Sequence, residues 1–265
     1  MGIPRLGSHP AHHLGSFMSA LPLSVQLYTI RNAMAQNPAA ALERLAALGF
    51  TSVEPFALVD HADTYAELLP RFGLTPSSSH AELIDRDLVP IVRAAHRVGV
   101  SSLIQPSTPA EAWTDSDAVV TIANQLNSVA SVLASEGITV GYHNHWWELE
   151  NSLDGTTALE AFADNLDQAV VLEVDTYWAE VGGVTAAQLL ARLGDRVQFI
   201  HVKDGDISRD NRRQVGVGSG RMPVRDILAA APQAVRVVEL DDFDGDVFDA
   251  LADSVAFLTA NGERL

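Results

Sequence analysis

Eight apolar segments rich in β-branched residues alternate with longer segments of helical periodicity from Leu23 to the C-terminus. This alternation is typical of βα units that surround a parallel sheet. The clearest helix follows Asn37 as its N-cap, with Pro38 at its first position and Gly49 after its end. The units are evenly spaced and no linker divides them, which favours closure over an open doubly wound sheet. The sequence therefore predicts one α/β domain, a (β/α)8 TIM barrel.

The predicted elements follow one another along the whole chain. Strands are predicted within residues 24–29, 51–56, 74–80, 101–107, 138–145, 170–178, 197–204 and 235–242. Helices are predicted within residues 37–49, 66–72, 83–98, 115–136, 156–166, 185–194, 223–231 and 247–260. Catalytic residues of such barrels lie at the carboxyl ends of the strands, so the polar residues there are the candidates for function.

The composition suits one large domain and limits the chemistry that the chain can carry. Of the 265 residues, 47% are hydrophobic, which is enough for one sizeable core. Residues 1–20 are rich in Gly, Pro and His without apolar periodicity, so we predict a disordered leader before a barrel domain at residues 21–265. Cysteine is absent, which excludes disulfides, thiolate nucleophiles and zinc–thiolate sites. Any bound metal must have nitrogen and oxygen ligands.

The strong negative charge argues against several kinds of partner. The formal net charge is −17, from 34 acidic and 17 basic residues. Such a field repels nucleic-acid backbones and anionic membrane surfaces, so we expect neither as a partner. The sequence also shows no secretory signal and no run of about 18 unbroken apolar residues. We therefore expect a soluble cytoplasmic protein, and its assembly into a homo-oligomer stays open.

Four successive strands, the fifth to the eighth, end in residue types that bind metals. Their sequences are GYHNHWWELE, EVDTYW, FIHVKD and VVELDD. Alternation along each strand places on one face the pairs His143 and His145, Glu173 and Asp175, His201 and Lys203, and Glu239 and Asp241. A mixed set of His, Asp and Glu suits one divalent ion, Mn²⁺, Mg²⁺, Co²⁺ or Zn²⁺. The alternative is that each residue only bonds to neighbouring loops.

These motifs, in this order, resemble the xylose-isomerase-like barrel family of sugar phosphate isomerases and epimerases. The resemblance spans about Ser24 to Gly262 and includes SVQLYTIR, GFTSVEPF, the His-Asn-His-x-x-Glu motif GYHNHWWELE, DTYWAEVGG, RVQFIHVKDG and VGVGSGRMPV. In that family one metal is held by an acidic residue of the fifth strand, an Asp of the sixth, a His of the seventh and a Glu of the eighth. The matching positions are Glu148, Asp175, His201 and Glu239. His143 is the second candidate for the fifth strand, and His143 and Asp241 are candidates either for the metal itself or for its surroundings.

Other polar residues near the strand ends are candidates for catalysis or substrate binding. Lys203 could stabilise an enolate or alkoxide beside the metal, and His145 could act as a general base or acid. Their alternatives are pairing of Lys203 with Asp204 or Asp206, and an orienting role for His145. The candidates for contact with the substrate are Gln26, Tyr28, Glu54, His80, Trp178 and Arg221. The glycine-rich segment 216–220 is a weak phosphate signal, and we interpret it as a flexible loop.

The resemblance favours a metal-dependent isomerase or epimerase of a small sugar or sugar derivative, acting by proton abstraction next to a metal-bound carbonyl. A lyase, either a dehydratase or a 3-keto-glycoside β-eliminase, shares the first step and stays an alternative. An endonuclease-like hydrolase is a distant alternative, because a DNA-cutting enzyme needs a basic surface. An amidohydrolase places its His-x-His pair on the first strand, whereas here the pair follows the fifth. A non-catalytic binding barrel also stays open.

Overall fold

The computed structural model describes residues 21–265, so the predicted leader lies outside the described residues. The central sheet contains nine parallel strand segments. Their bounds are β1 Ser24–Gln26, β2 Ser52–Glu54, β3 in two segments Thr75–Pro76 and Ser79–His80, β4 Ser102–Gln105, β5 Thr139–His143, β6 Val170–Asp175, β7 Val197–Val202 and β8 Val235–Val238. Each strand pairs with its neighbours in sequence, and β8 pairs with β1. The predicted TIM barrel is confirmed.

The third strand is broken in the middle, and its two segments pair with different neighbours. Thr75–Pro76 pairs with β2, whereas Ser79–His80 pairs with β4. Between them, the Ser77 amide still donates to the Val53 carbonyl at 2.9 Å, and the Ser77 and Ser78 side chains make further hydrogen bonds. Ser77 lies 2.8 Å from the hydroxyl of Ser24, and the Ser78 hydroxyl bonds to the carboxylate of Glu54. The sheet is therefore almost completely closed into a barrel, and the gap in its ladder lies at the third strand.

Eleven α-helices surround the sheet in the described part of the chain. They are α1 Arg31–Gln36, α2 Pro38–Ala47, α3 Leu58–Arg71, α4 Leu88–Val98, α5 Ser116–Leu133, α6 Trp147–Glu150, α7 Ala158–Asn165, α8 Thr176–Val181, α9 Ala186–Leu193, α10 Val224–Ala230 and α11 Val247–Ala260. The predicted cap of α2 is present, because Asn37 accepts a hydrogen bond from the Ala40 amide at 3.1 Å. Gly49 has the positive φ of +96° that ends this segment.

Seven of the eight predicted strands end earlier than the sequence pattern indicated, and two of them continue into a helix instead. Residues 27–29 belong to a 3-10 helix, Leu27–Ile30, rather than to β1. Trp178 belongs to α8 rather than to β6, because the Asp175 side chain accepts a hydrogen bond from the Trp178 amide at 2.9 Å and so caps a new helix. Both changes place aromatic side chains on turns above the sheet.

The barrel interior changes from apolar to polar along the strands. Phe199 and Val237 are buried on the inward faces of β7 and β8, two residues before His201 and Glu239. At the carboxyl ends, Glu173 and His201 are also buried, each with 0% of its surface exposed. Buried charged groups of this kind require partners or a bound ion. The fold thus directs the search for function to this end of the barrel.

The segment Ser116–Glu136 passes a test of length and composition for a membrane span. Core helices of soluble proteins pass the same test. Val119, Ile122 and Leu126 are buried on one face of this helix, which covers the barrel. The segment is therefore weak evidence for a membrane span, and the cytoplasmic location stays a prediction.

Candidate functional site

A cleft of about 850 Å³ opens at the carboxyl ends of the strands. Its walls come from the segments that follow the strands, which is where barrel enzymes place their active sites. Seven residues that the sequence analysis singled out line it, namely Tyr28, His80, His143, His145, Trp178, Glu239 and Asp241.

His201 lies at the centre of a cluster of buried carboxylates below this cleft. Its Nδ1 is 2.6 Å from Glu239 Oε2, and its Nε2 is 2.9 Å from Glu54 Oε1 and 3.1 Å from Glu173 Oε2. Burial alone would lower the pKa of His201, but the carboxylates of Glu173, Glu239 and Glu54 raise it well above the usual value. The imidazole of His201 is therefore protonated. Its positive charge lies among carboxylates that could bind a metal cation instead.

Two groups of side chains could hold a metal ion, and both contain His201. One group is Asp175, His201 and Glu239, and the other is His80, His143, Glu173 and His201. Within each group the ligand atoms lie within 4.8 Å of one another. The first group contains three of the four residues that the sequence analysis assigned to the metal.

Glu148, the fourth assigned residue, is in neither group. Its Oε1 accepts a hydrogen bond from the Tyr142 hydroxyl at 2.9 Å, and its Oε2 accepts one from the His145 amide at 2.9 Å. Burial raises the pKa of Glu148 to about 8. His143 lies closer to the assigned ligands, with its Nε2 3.7 Å from Asp175 Oδ2. The geometry thus favours the second candidate for the fifth strand, and the ligand role of either residue stays a prediction.

Lys203 is the only lysine in the sequence, and it is buried among three carboxylates. Its Nζ lies 2.7 Å from Glu239 Oε2 and 2.9 Å from both Asp175 Oδ2 and Asp241 Oδ2. Burial would lower the pKa of Lys203, but Asp175, Asp241 and Glu239 raise it well above the usual value. A permanent positive charge therefore sits beside the assigned metal ligands, and Asp204 and Asp206 are not its partners.

His145 lies just beyond the end of β5 and lines the cleft. Its ring stacks on Trp147, with ring centroids 4.3 Å apart and an interplanar angle of 4°. Its Nδ1 is buried and has no hydrogen-bond partner among the described residues. Burial and, next, the charge of Lys203 lower the pKa of His145 to about 3. The imidazole is therefore neutral at pH 7, the form that can accept a proton, although a pKa this low makes it a weak base.

A model of the xylose isomerase-like TIM barrel family matches residues 42–259, which is most of the chain. The chain belongs to this family. A sugar phosphate isomerase/epimerase from Parabacteroides distasonis has 25% sequence identity and a TM-score of 0.77, with 95% of this chain and 98% of that chain covered. No curated protein matches the sequence.

Two solved structures of lower sequence identity share the fold. The probable 3-DHS dehydratase AsbF, involved in petrobactin synthesis in Bacillus anthracis, has 12% identity and a TM-score of 0.70, with 90% of this chain and 99% of that chain covered. The IolI protein, whose structure contains a zinc atom, has 15% identity and a TM-score of 0.64, with 91% and 96% covered. Enzymes of different chemistry thus use one barrel.

The other three residues that were predicted to contact the substrate are Gln26, Glu54 and Arg221, and they do not line the cleft. Gln26 and Glu54 are completely buried, and Gln26 Nε2 donates to Glu54 Oε1 at 2.6 Å. They support His201 from below, because Glu54 contacts its Nε2. Arg221 lines a separate surface depression together with Arg212 and Arg213. The structure therefore does not bring Arg221 to the cleft.

The glycine-rich segment is held by Asp204, which the sequence analysis did not assign to the site. Asp204 Oδ1 accepts hydrogen bonds from the amides of Gly205 and Met222, and Oδ2 accepts them from Gly218 and Gly220, at 2.8 to 3.1 Å. These amides are therefore not free to bind a phosphate group. The sequence gives no clear signal for this role, because Asp204 lies well before the glycine-rich segment 216–220 along the chain.

We expect Asp204→Ala to lower the free energy of unfolding by at least about 3 kcal/mol, because each buried amide left without an acceptor costs about 1–3 kcal/mol. Asp204 is 1% exposed, so water cannot replace it without rearrangement. Chemical denaturation followed by circular dichroism measures the change. Asp206→Ala is the control, because Asp206 pairs with Arg213 near the surface and accepts no hydrogen bond from the amides of the glycine-rich segment. Equal denaturation midpoints for the two variants would show that Asp204 does not stabilise the glycine-rich segment.

Proposed function

We propose that this protein is a divalent-metal-dependent isomerase or epimerase of a small sugar or sugar derivative. The observation that carries the proposal is the group Asp175, His201 and Glu239 at the end of a ligand-sized cleft that also contains a neutral His145. The related sugar phosphate isomerase/epimerase supports the same substrate class. The metal could be Mn²⁺, Mg²⁺, Co²⁺ or Zn²⁺, and the zinc atom of IolI is consistent with this range.

The buried carboxylates fit a divalent ion. Glu173 Oε1 and Asp175 Oδ2 are buried and accept no hydrogen bond from any described residue, although Lys203 Nζ lies 2.9 Å from Asp175 Oδ2. Buried anionic oxygens are costly without a compensating charge. Asp175, His201 and Glu239 would hold the ion, with His143 as a further candidate. When bound, such an ion acts as a Lewis acid that polarises a carbonyl group.

The chain's own residues supply the proton transfer and the orientation of the sugar. The neutral imidazole of His145 faces the cleft and accepts a proton from the carbon next to the carbonyl. The ammonium group of Lys203 stabilises the negative charge that develops on oxygen. Tyr28 and Trp178 present aromatic rings to the cleft, which pack against the apolar face of a sugar ring.

The direct test is incubation of the metal-loaded protein with a panel of ketoses and 3-keto-glycosides in D₂O. We expect an isomer or epimer that carries deuterium at the carbon next to the carbonyl, detected by NMR and mass spectrometry. Chelator-treated protein is the control and should leave the sugar unlabelled. Product that has lost a leaving group would assign the lyase alternative instead. Absence of both label and product with every substrate would refute the proposal.

A further inference from the structure

One side of the cleft is apolar, in contrast to the polar side that carries the candidate ligands. We call this side the apolar wall, and it consists of Tyr28, Phe56, Leu58, Val59, Ile91 and Pro106. These residues belong to the segments that follow β1 to β4, whereas Asp175, His201 and Glu239 lie at the carboxyl ends of β6, β7 and β8. Tyr28 and Phe56 contact each other edge to face, with ring centroids 5.6 Å apart. Tyr28 and Val59 are 40% and 46% exposed, so the wall is open to a ligand.

The cleft is too large for a single sugar. A hexose has about a dozen heavy atoms, and liquid water takes about 30 Å³ for each of its heavy atoms. Even at that loose packing a hexose fills less than half of the 850 Å³ cleft. The apolar wall lines part of this cleft, and burying an apolar group against it is favourable, whereas burying a hydrated group there is not.

The charges around the cleft disfavour a phosphorylated sugar. Arg86 is the only arginine or lysine among the described residues that line it, and its guanidinium lies 3.9 Å from the carboxylate of Glu82. The acidic lining residues are Asp60, Glu82, Asp87, Glu239 and Asp241. Lys203 is surrounded by three carboxylates, and the amides of the glycine-rich segment bond to Asp204. A phosphate group would therefore meet an excess of negative charge.

We propose that the substrate is an uncharged keto-sugar that carries an apolar group, with its sugar toward Asp175, His201 and Glu239 and the apolar group against the apolar wall, and not a sugar phosphate. The inference rests on the proposed function for the position of the sugar. The apolar wall sets the specificity for the attached group through burial of its surface. Asp60, Glu82 and Asp87 reject anionic substrates at the rim.

Calorimetric titration of the metal-loaded protein tests this inference without turnover. The probes are methyl β-D-glucoside, 4-nitrophenyl β-D-glucoside and D-glucose 6-phosphate, together with the corresponding galactose compounds. We expect the nitrophenyl glycoside of at least one sugar to bind at least about tenfold more tightly than its methyl glycoside, because the aromatic ring is buried. We expect the phosphate to bind no more tightly than the methyl glycoside. Equal affinities for the two glycosides, or preferential binding of the phosphate, would overturn the inference.

Two variants test whether the apolar wall causes the tighter binding of the nitrophenyl glycoside. We expect Val59→Asp and Tyr28→Ala to bring the nitrophenyl and methyl affinities within about threefold of each other. Val89→Asp is the matched control. Val59 is the second residue of α3 and Val89 is the second residue of α4, and both are exposed, but Val89 does not line the cleft. An unchanged preference in Val59→Asp and Tyr28→Ala would overturn the assignment. If sugars isomerise in D₂O but the nitrophenyl glycoside binds no more tightly than the methyl glycoside, this inference is wrong and the proposed function stands. If the nitrophenyl glycoside binds more tightly but no sugar isomerises, this inference is supported and the proposed function is wrong.

Discussion

The Asp175→Asn variant is expected to lose bound divalent metal and turnover while keeping the barrel fold. Asparagine retains the Oδ1 atom, which accepts the hydrogen bond from the Trp178 amide at 2.9 Å and caps α8. It lacks the charge that would hold a cation together with His201 and Glu239. Substitution of a residue that only contacts a metal ligand lowers metal affinity by roughly 10- to 100-fold. We expect a larger loss for Asp175→Asn, because Asp175 is assigned as a direct ligand. Metal content after dialysis, measured by mass spectrometry, gives the answer.

Asp115→Asn is the matched control for this substitution. Asp115 also caps a helix, accepting a hydrogen bond from the Ala118 amide at 2.8 Å, and it lies outside the cleft. We expect the control to keep metal, activity and melting temperature. His201→Ala should lose metal as Asp175→Asn does. Full metal occupancy in both site variants would show that the assigned ligands are wrong.

The variants His145→Ala and Lys203→Met are each expected to lower turnover by about 10²- to 10⁴-fold while metal remains bound. His145 provides a neutral imidazole at the cleft, and Lys203 provides the only ammonium side chain of the chain, 2.9 Å from Asp175 Oδ2. Neither residue is in the group Asp175, His201 and Glu239, so metal binding should not depend on them. Steady-state kinetics and metal analysis of the same preparations separate the two effects. A substrate deuterated at the reacting carbon should also react more slowly if proton abstraction limits the rate.

Two surface residues provide controls for these variants. His96 lies on an exposed face of α4, and Arg213 pairs with Asp206 on a surface loop. We expect His96→Ala and Arg213→Met to keep wild-type turnover. Normal turnover of both His145→Ala and Lys203→Met would exclude the proposed proton transfer.

The barrel and the meeting of its strand ends could be predicted from the sequence. Neighbouring parallel strands carry their inward-facing side chains to one end of the barrel, so Asp175, His201 and Glu239 come together wherever that topology forms. The same reasoning brings His80 and His143 to the cleft. Their catalytic and binding roles stay predictions, because a shared position does not determine what a residue binds.

The loops could not be predicted in the same way, because their paths depend on individual hydrogen bonds. Glu148 lies on the short helix α6, where Tyr142 and the His145 amide bind both of its carboxylate oxygens. Arg221 follows a segment whose path is determined by the bonds of Asp204 to backbone amides, which leave no side-chain pattern in a sequence. The hydroxyl bonds of Ser77 and Ser78 at the break in β3 likewise have no counterpart in the sequence pattern. These contacts become visible only in three dimensions.

The central claim is that Asp175, His201 and Glu239 hold a divalent ion at the end of the cleft. The most direct measurement is an anomalous difference map from crystals grown with Mn²⁺. The account predicts one strong peak within coordination distance of all three side chains, and no peak there in Asp175→Asn crystals prepared in the same way. A peak held only by His80, His143 and Glu173, or no peak in the barrel at all, would contradict it.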